Sequence, residues 1–124
     1  MRGSMKQIPK IIEAFFEQVM GNKEYHRMVT AQYAYVKVKS FEDGKVTGLG
    51  LWGSEPKPFT IDFGSAFNKL VFECECQCFS NAVKDGDTAP CPHILRTLIE
   101  LESKITDQPF NTVYNNRINS IIPF

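Results

Sequence analysis

The residues able to do chemistry are crowded into one stretch. From Cys74 to His93 the chain reads Cys-Glu-Cys-Gln-Cys-Phe-Ser-Asn-Ala-Val-Lys-Asp-Gly-Asp-Thr-Ala-Pro-Cys-Pro-His. It holds all four cysteines, Cys74, Cys76, Cys78 and Cys91, and one of the two histidines. Thiolates and imidazole gathered in an otherwise cysteine-free chain are the donor set of a metal site. On a strand, residues i and i+2 face the same way, so Cys74 and Cys76 can reach one ion together. Cys78 shares that parity but lies roughly 13 Å from Cys74 at about 3.3 Å per residue. One ion reaches all three only if the strand bends. Cys91 and His93 cannot meet within a helix, where i and i+2 point about 200° apart. They meet if Cys91 precedes the helix and His93 sits in its first turn. Pro92 supports that arrangement, because proline is favoured at the first helical position.

Three other chemistries compete with a metal site. Disulfides fit poorly, because cysteines at i, i+2 do not easily bridge and no secretory setting is expected. Simple buried thiols leave the clustering unexplained. A catalytic zinc would call for His-x-Glu with Pro-Cys-x-x-Cys, or for His-Glu-x-x-His, and neither occurs. Four protein ligands would also fill a tetrahedron and leave no open position.

Cys-x-Cys, a variable loop, then Cys-x-His running into an apolar helix resembles the SWIM zinc finger. Family members often carry an aromatic residue three positions after the second cysteine, and Phe79 stands there if Cys74 and Cys76 form the first pair. The resemblance therefore implies one zinc held by Cys74, Cys76, Cys91 and His93, with Cys78 left over. It covers about residues 64–105. The chain departs from it in the extra Cys78 and in Arg96, where members tied to recombination have a small alanine. The resemblance also implies a role in DNA transactions. Such fingers occur in transposases, plant transcription factors, helicases and a ubiquitin ligase. Small stand-alone members are similar to recombination mediators that partner recombinase paralogues.

Composition sets wider bounds. The 124 residues suit one domain, and 43% apolar residues suffice for a core. Fourteen basic residues balance fourteen acidic ones, so the strongly basic signature of a dedicated nucleic-acid binder is missing. The balance is uneven: residues 1–45 carry a net +3 and residues 46–90 a net −3. No apolar run approaches membrane-spanning length, and an intracellular location is expected. No nucleophile–base pair or phosphate loop stands out, so neither an enzyme nor a small-molecule substrate is expected. Met1-Arg2-Gly3-Ser4 reads as an expression remnant before Met5, leaving 5–124 as the domain.

The elements that must position the cluster follow from periodicity. Ile8, Ile12, Phe15, Phe16 and Val19 recur at helical spacing, which predicts a helix over 8–20 closed by Gly21-Asn22. Residues 25–40 predict one long strand. Its aliphatic face, Ala34, Val36 and Val38, should be buried, and His26 is an ordinary strand histidine. The opposite face carries Tyr33, Tyr35, Lys37 and Lys39. Rings and cations on one strand face can stack bases and pair phosphates, so these four, with Arg96, are the candidate contacts for single-stranded DNA. The ordinary alternative is a solvated face with half-buried tyrosines, and a protein–protein adaptor fits the zero net charge.

Asp43-Gly44 predicts a hairpin turn into a strand over 46–52. Gly48 and Gly50 there mark a bulge or the close approach of another element, and Trp52 a core anchor. Residues 54–58, with two prolines, read as a loop. Strands follow over 59–63 and 70–76, with Glu73 and Glu75 facing away from the ligands. The Lys84–Thr88 segment reads as an exposed loop tip without the carboxylates of a calcium loop. Residues 94–105 predict an amphipathic helix, and 110–124 a tail of undetermined form. The expected fold is α+β: a small antiparallel sheet, a helix at each end of the sequence, and one zinc staple.

Overall fold

The computed structural model describes residues 6–18, 25–52, 55–76 and 90–121. Helices α1 (Gln7–Gln18) and α2 (Tyr25–Ala31) precede four strands, β1 (Tyr35–Glu42), β2 (Lys45–Trp52), β3 (Glu55–Asp62) and β4 (Val71–Cys74). Helices α3 (Pro92–Thr106) and α4 (Phe110–Asn119) follow. The strands form one antiparallel sheet in sequence order. The fold is α+β as expected, but with two helices before the sheet and two after it. Val19, Gly21, Asn22, Ser54, Cys78, Phe79 and the Lys84–Thr88 segment lie outside the described residues, as do residues 1–4, Pro123 and the Trp52 side chain. Among the described residues no helix is long and apolar enough to cross a membrane.

Helix α3 is the centre of the fold. Its period buries Ile94, Leu95, Leu98, Ile99 and Leu101, which is apolar surface on more than one side. One side meets the sheet, and the others meet α1, α2 and α4. The sheet offers α3 the face that carries Val46, Phe59, Ile61 and Cys74, all buried. Phe72 on β4 meets the Phe15 ring of α1 edge-on, with centroids 5.8 Å apart. The other sheet face is open. There Tyr35 is 73% exposed, Leu51 40% and Val71 57%.

Three expectations need correction. Residues 25–31 form helix α2, not strand, so His26 is an exposed helix residue. Met28 and Ala31, three apart, are its buried pair, which is the helical period. Val38 is 41% exposed instead of buried. The pairing jumps from Val38↔Gly48 to Ser40↔Thr47, so Lys39 is the extra residue of a β-bulge. Ser40 thereby turns to the open face, where its hydroxyl meets that of Thr47 at 2.6 Å. Pro56 and Pro58 belong to β3, not to a loop, opposite Leu51 and Leu49. Among the described residues the β4 ladder spans residues 59–62 of β3, and beyond it the Glu75 amide donates to the Pro58 carbonyl, so no donor is asked of the prolines on that side. The tail, whose form the sequence leaves open, is helical through Asn119 and packs through Val113, Tyr114 and Ile118.

Candidate metal centre

Strand β4 delivers Cys74 and α3 delivers His93. Cys74 is the last residue of β4, in register with Phe59 on the covered face. The Glu75 amide donates to the Pro58 carbonyl at 3.1 Å, which holds the chain on course to Cys76 just past the strand. Glu73 and Glu75, of opposite parity, are exposed. Cys91 is the N-cap of α3 in extended backbone (φ −82, ψ 169), with Pro92 opening the helix. His93 therefore stands in the first turn, where the Leu95 amide donates to the Cys91 carbonyl at 3.1 Å. The Thr97 hydroxyl donates to the His93 carbonyl at 2.8 Å and tightens the same turn. The positive end of α3 also favours a thiolate at Cys91.

These elements bring Cys74, Cys76, Cys91 and His93 together in the interior. Their ligand atoms all lie within 4.8 Å of one another. None of the four residues is more than 5% exposed. His93 Nδ1 is 3.8 Å from Cys74 Sγ and 4.0 Å from Cys91 Sγ. A tetrahedral ion with bonds of about 2.3 Å to sulfur and 2.0–2.1 Å to nitrogen has ligand–ligand edges of about 3.5–3.8 Å. The 3.8 and 4.0 Å separations are close to that size, and the longest, within 4.8 Å, would contract by up to about 1 Å around an ion. The group can therefore hold a metal ion, with Nδ1 as the imidazole donor and the ring hydrogen on Nε2.

The electrostatics of the thiols point the same way. The hydrogen bond with the Cys76 thiol and burial push the Cys74 thiol up to about 11. Contacts with Cys74 and Cys76, and then burial, push the Cys91 thiol far above its ordinary range. Three buried sulfurs cannot share negative charge without a cation. The fold without metal therefore keeps these protons more tightly than the unfolded chain does. The contribution of the protonated thiols to that fold is present below pH 9 and is lost as pH rises toward the Cys74 value of about 11. A bound cation reverses the sign, because protons then compete with it and acid releases it. Circular dichroism should show loaded protein holding its fold above pH 9 and losing it in acid, together with the metal ion. A loaded protein that gives up its metal in acid and keeps its fold would contradict this.

The residues expected at a nucleic-acid surface are less united. Tyr33 lies in the turn after α2, where its amide donates to the Thr30 carbonyl, and Tyr35 opens β1. Each is 73% exposed. Lys37 shares the open face with Tyr35, whereas Lys39 sits at the bulge. The four thus follow the β1 edge of the sheet in place of one flat face. Arg96 is engaged elsewhere. Its Nε donates to Glu100 at 2.6 Å, its Nη1 donates to the Gln32 carbonyl at 2.7 Å, and its guanidinium lies 4.1 Å from the Phe110 ring centre. It ties the Tyr33 turn to α3 and α4.

One residue at the centre had only an indirect signal in the sequence. Gly50 on β2 lies directly beneath the His93 ring. The bare glycines of β2 announced close approach of another element without saying which. No family model, curated protein or solved structure matches the chain.

Proposed function

We propose that the protein is a non-catalytic binding module whose fold is closed by one structural zinc ion and whose β1 edge engages single-stranded DNA. The observation that carries the zinc is the buried Cys74–Cys76–Cys91–His93 group, with all ligand atoms within 4.8 Å. Three thiolates and an imidazole suit zinc among the common divalent ions. Four protein ligands leave no position for a substrate, which favours a structural role over catalysis. The likeness of the Cys-x-Cys and Cys-x-His pairs to a SWIM finger supports the same reading and adds an accessory role in recombination or transcription, with a recombinase paralogue as a possible protein partner. Reduced thiols suit an intracellular setting.

The DNA surface is the run Tyr33, Tyr35, Lys37, Lys39. Two tyrosines, each 73% exposed, offer rings for base stacking beside two exposed lysines for phosphates. Arg96 supports the Tyr33 turn from behind. An anisotropy titration with labelled single-stranded DNA at two salt concentrations tests this. Replacing Lys37 and Lys39 with alanine should flatten the salt slope by roughly one to two units. Replacing the tyrosines should cost about 1–3 kcal/mol per stacked base and leave the slope unchanged. Absence of binding at low salt would remove the DNA reading. A protein–protein adaptor is the second reading, favoured by Leu51 and Val71 exposed on the open sheet face among charges of both signs.

A further inference from the structure

We infer that Gly50 keeps the metal centre closed: by lacking a side chain it lets the His93 imidazole lie where Nδ1 completes the ligand set. This rests on the reading that the Cys74–Cys76–Cys91–His93 group holds a metal ion. Glycine inside a strand forfeits packing and is entropically costly, so its presence in β2 calls for a local reason. Gly50 is buried and pairs in regular antiparallel register with Val36 on one side and Lys57 on the other. The reason is steric. A Cβ built at position 50 would lie 2.5 Å from His93 Cγ, 2.6 Å from Cδ2 and 2.8 Å from Nδ1.

Those three distances say how the ring sits. A point nearly equidistant from Cγ and both of its ring neighbours is above the ring plane, so the imidazole lies face-on over the Gly50 backbone. Van der Waals contact begins well outside 3 Å, so one methyl group there occupies space the ring already fills. The ring has little freedom to retreat. Its Cα is fixed in the first turn of α3, behind Pro92 and under the Thr97 hydroxyl bond to the His93 carbonyl at 2.8 Å. Escape requires rotating the imidazole out of its plane, and that swings Nδ1 away from Cys74 Sγ and Cys91 Sγ, now 3.8 and 4.0 Å distant. The methyl group would convert three sulfurs and a nitrogen into three sulfurs with a coordination position open to water. Gly50 thus decides whether the centre is closed or open, without touching the ion. Gly48, two residues away on the same strand, is a built-in comparison. A Cβ there would meet the Phe59 ring at 2.7 Å and the Lys37 carbonyl oxygen at 2.5 Å, and neither belongs to the centre.

The test compares cobalt(II)-loaded and zinc-loaded wild type, Gly50→Ala and Gly48→Ala. In Gly50→Ala the visible d–d bands of cobalt should shift toward a site with one oxygen ligand. The thiolate charge-transfer intensity should stay that of three sulfurs, and zinc affinity should fall about 10–100-fold. Gly48→Ala should lower the melting temperature and leave the cobalt spectrum of the folded protein unchanged. If Gly50→Ala does not fold well enough to load, the His93→Cys background, which removes the ring and keeps four ligands, decides. Once the ring is gone, adding Gly50→Ala should cost no further stability, and an equal cost with and without the ring overturns the inference. An unshifted cobalt spectrum in folded Gly50→Ala overturns it as well. A wild type that takes up no metal at all overturns instead the reading on which it rests.

Discussion

Replacing Cys74 with serine should release the metal ion and unfold the protein at ordinary temperatures. Cys74 is 3% exposed at the end of β4 and is one of two residues through which the sheet side would grip an ion. The other side would be held by Cys91 and His93 at the start of α3. A bound ion would therefore bridge the sheet to the helix around which α1, α2 and α4 pack. Structural zinc sites of this kind are worth about 10–16 kcal/mol, and that binding energy is folding energy. Against a total stability of about 5–15 kcal/mol, losing most of it leaves little. A strong chelator should do the same to the wild type, and added zinc should reverse it. Cys78→Ser should keep both metal and fold, because the other three cysteines already complete the group with His93. Atomic absorption and far-ultraviolet circular dichroism on the two variants decide the matter. A Cys74→Ser protein that melts like the wild type, or a Cys78→Ser protein that loses its metal, would contradict the assignment.

Glu102→Ala should cost about 3–5 kcal/mol, the usual penalty for leaving a buried charge without its partner. Glu102 on α3 is 6% exposed. It receives Arg117 of α4 in a two-pronged contact, Nε to Oε1 at 3.0 Å and Nη2 to Oε2 at 2.6 Å. That bond also raises the Arg117 guanidinium above its ordinary value, so the cation stays charged. Two acids of α1 also lie near it: Glu17, and Glu13 with oxygen 3.9 Å from Nη1, a longer contact on a side chain 55% exposed. Glu13 can compensate only weakly, because exposed pairs are worth about 0–1 kcal/mol. Urea denaturation should show the loss with the slope unchanged, and zinc stoichiometry should not move. Glu102 lies nine residues beyond His93, roughly 13 Å along α3 at 1.5 Å per residue. A loss below about 1 kcal/mol would mean that the pair contributes no more than a surface contact.

The centre was more legible in the sequence than the frame around it. Cys91-Pro92-His93 could be placed because proline has one good position in a helix, and that position puts His93 in the first turn. Helix α3 was visible in the spacing of Ile94, Leu98, Leu101 and Ile105, and the β1–β2 turn in Asp43-Gly44, both at positive φ. The misreadings share a cause: contacts distant in sequence outweighed local preference. Tyr25, Val29 and Thr30 favour strand, yet 25–31 is helical. There the Tyr114 hydroxyl donates to the Met28 carbonyl at 2.8 Å, and Arg96 holds Gln32 just beyond the helix. Alternation through Val36 and Val38 carried no sign of the bulge at Lys39, so the Tyr–Lys face was drawn flatter than it is. In α4 the asparagines hid a helical stripe. Phe110, Val113, Tyr114 and Ile118 stand at three- and four-residue spacing, and the last three of them are buried. Gly50 could be recognised as a point of close approach, but the ring that approaches it comes from 43 residues further along the chain.

Native mass spectrometry of the purified chain, paired with the cobalt spectrum of reloaded protein, tests the zinc staple most directly. The account predicts one zinc per folded chain, lost on denaturation, and a cobalt form with tetrahedral bands from three sulfurs and one nitrogen. A folded chain that carries no metal, or one in which Cys74, Cys76 and Cys91 are found paired in disulfides, would contradict it.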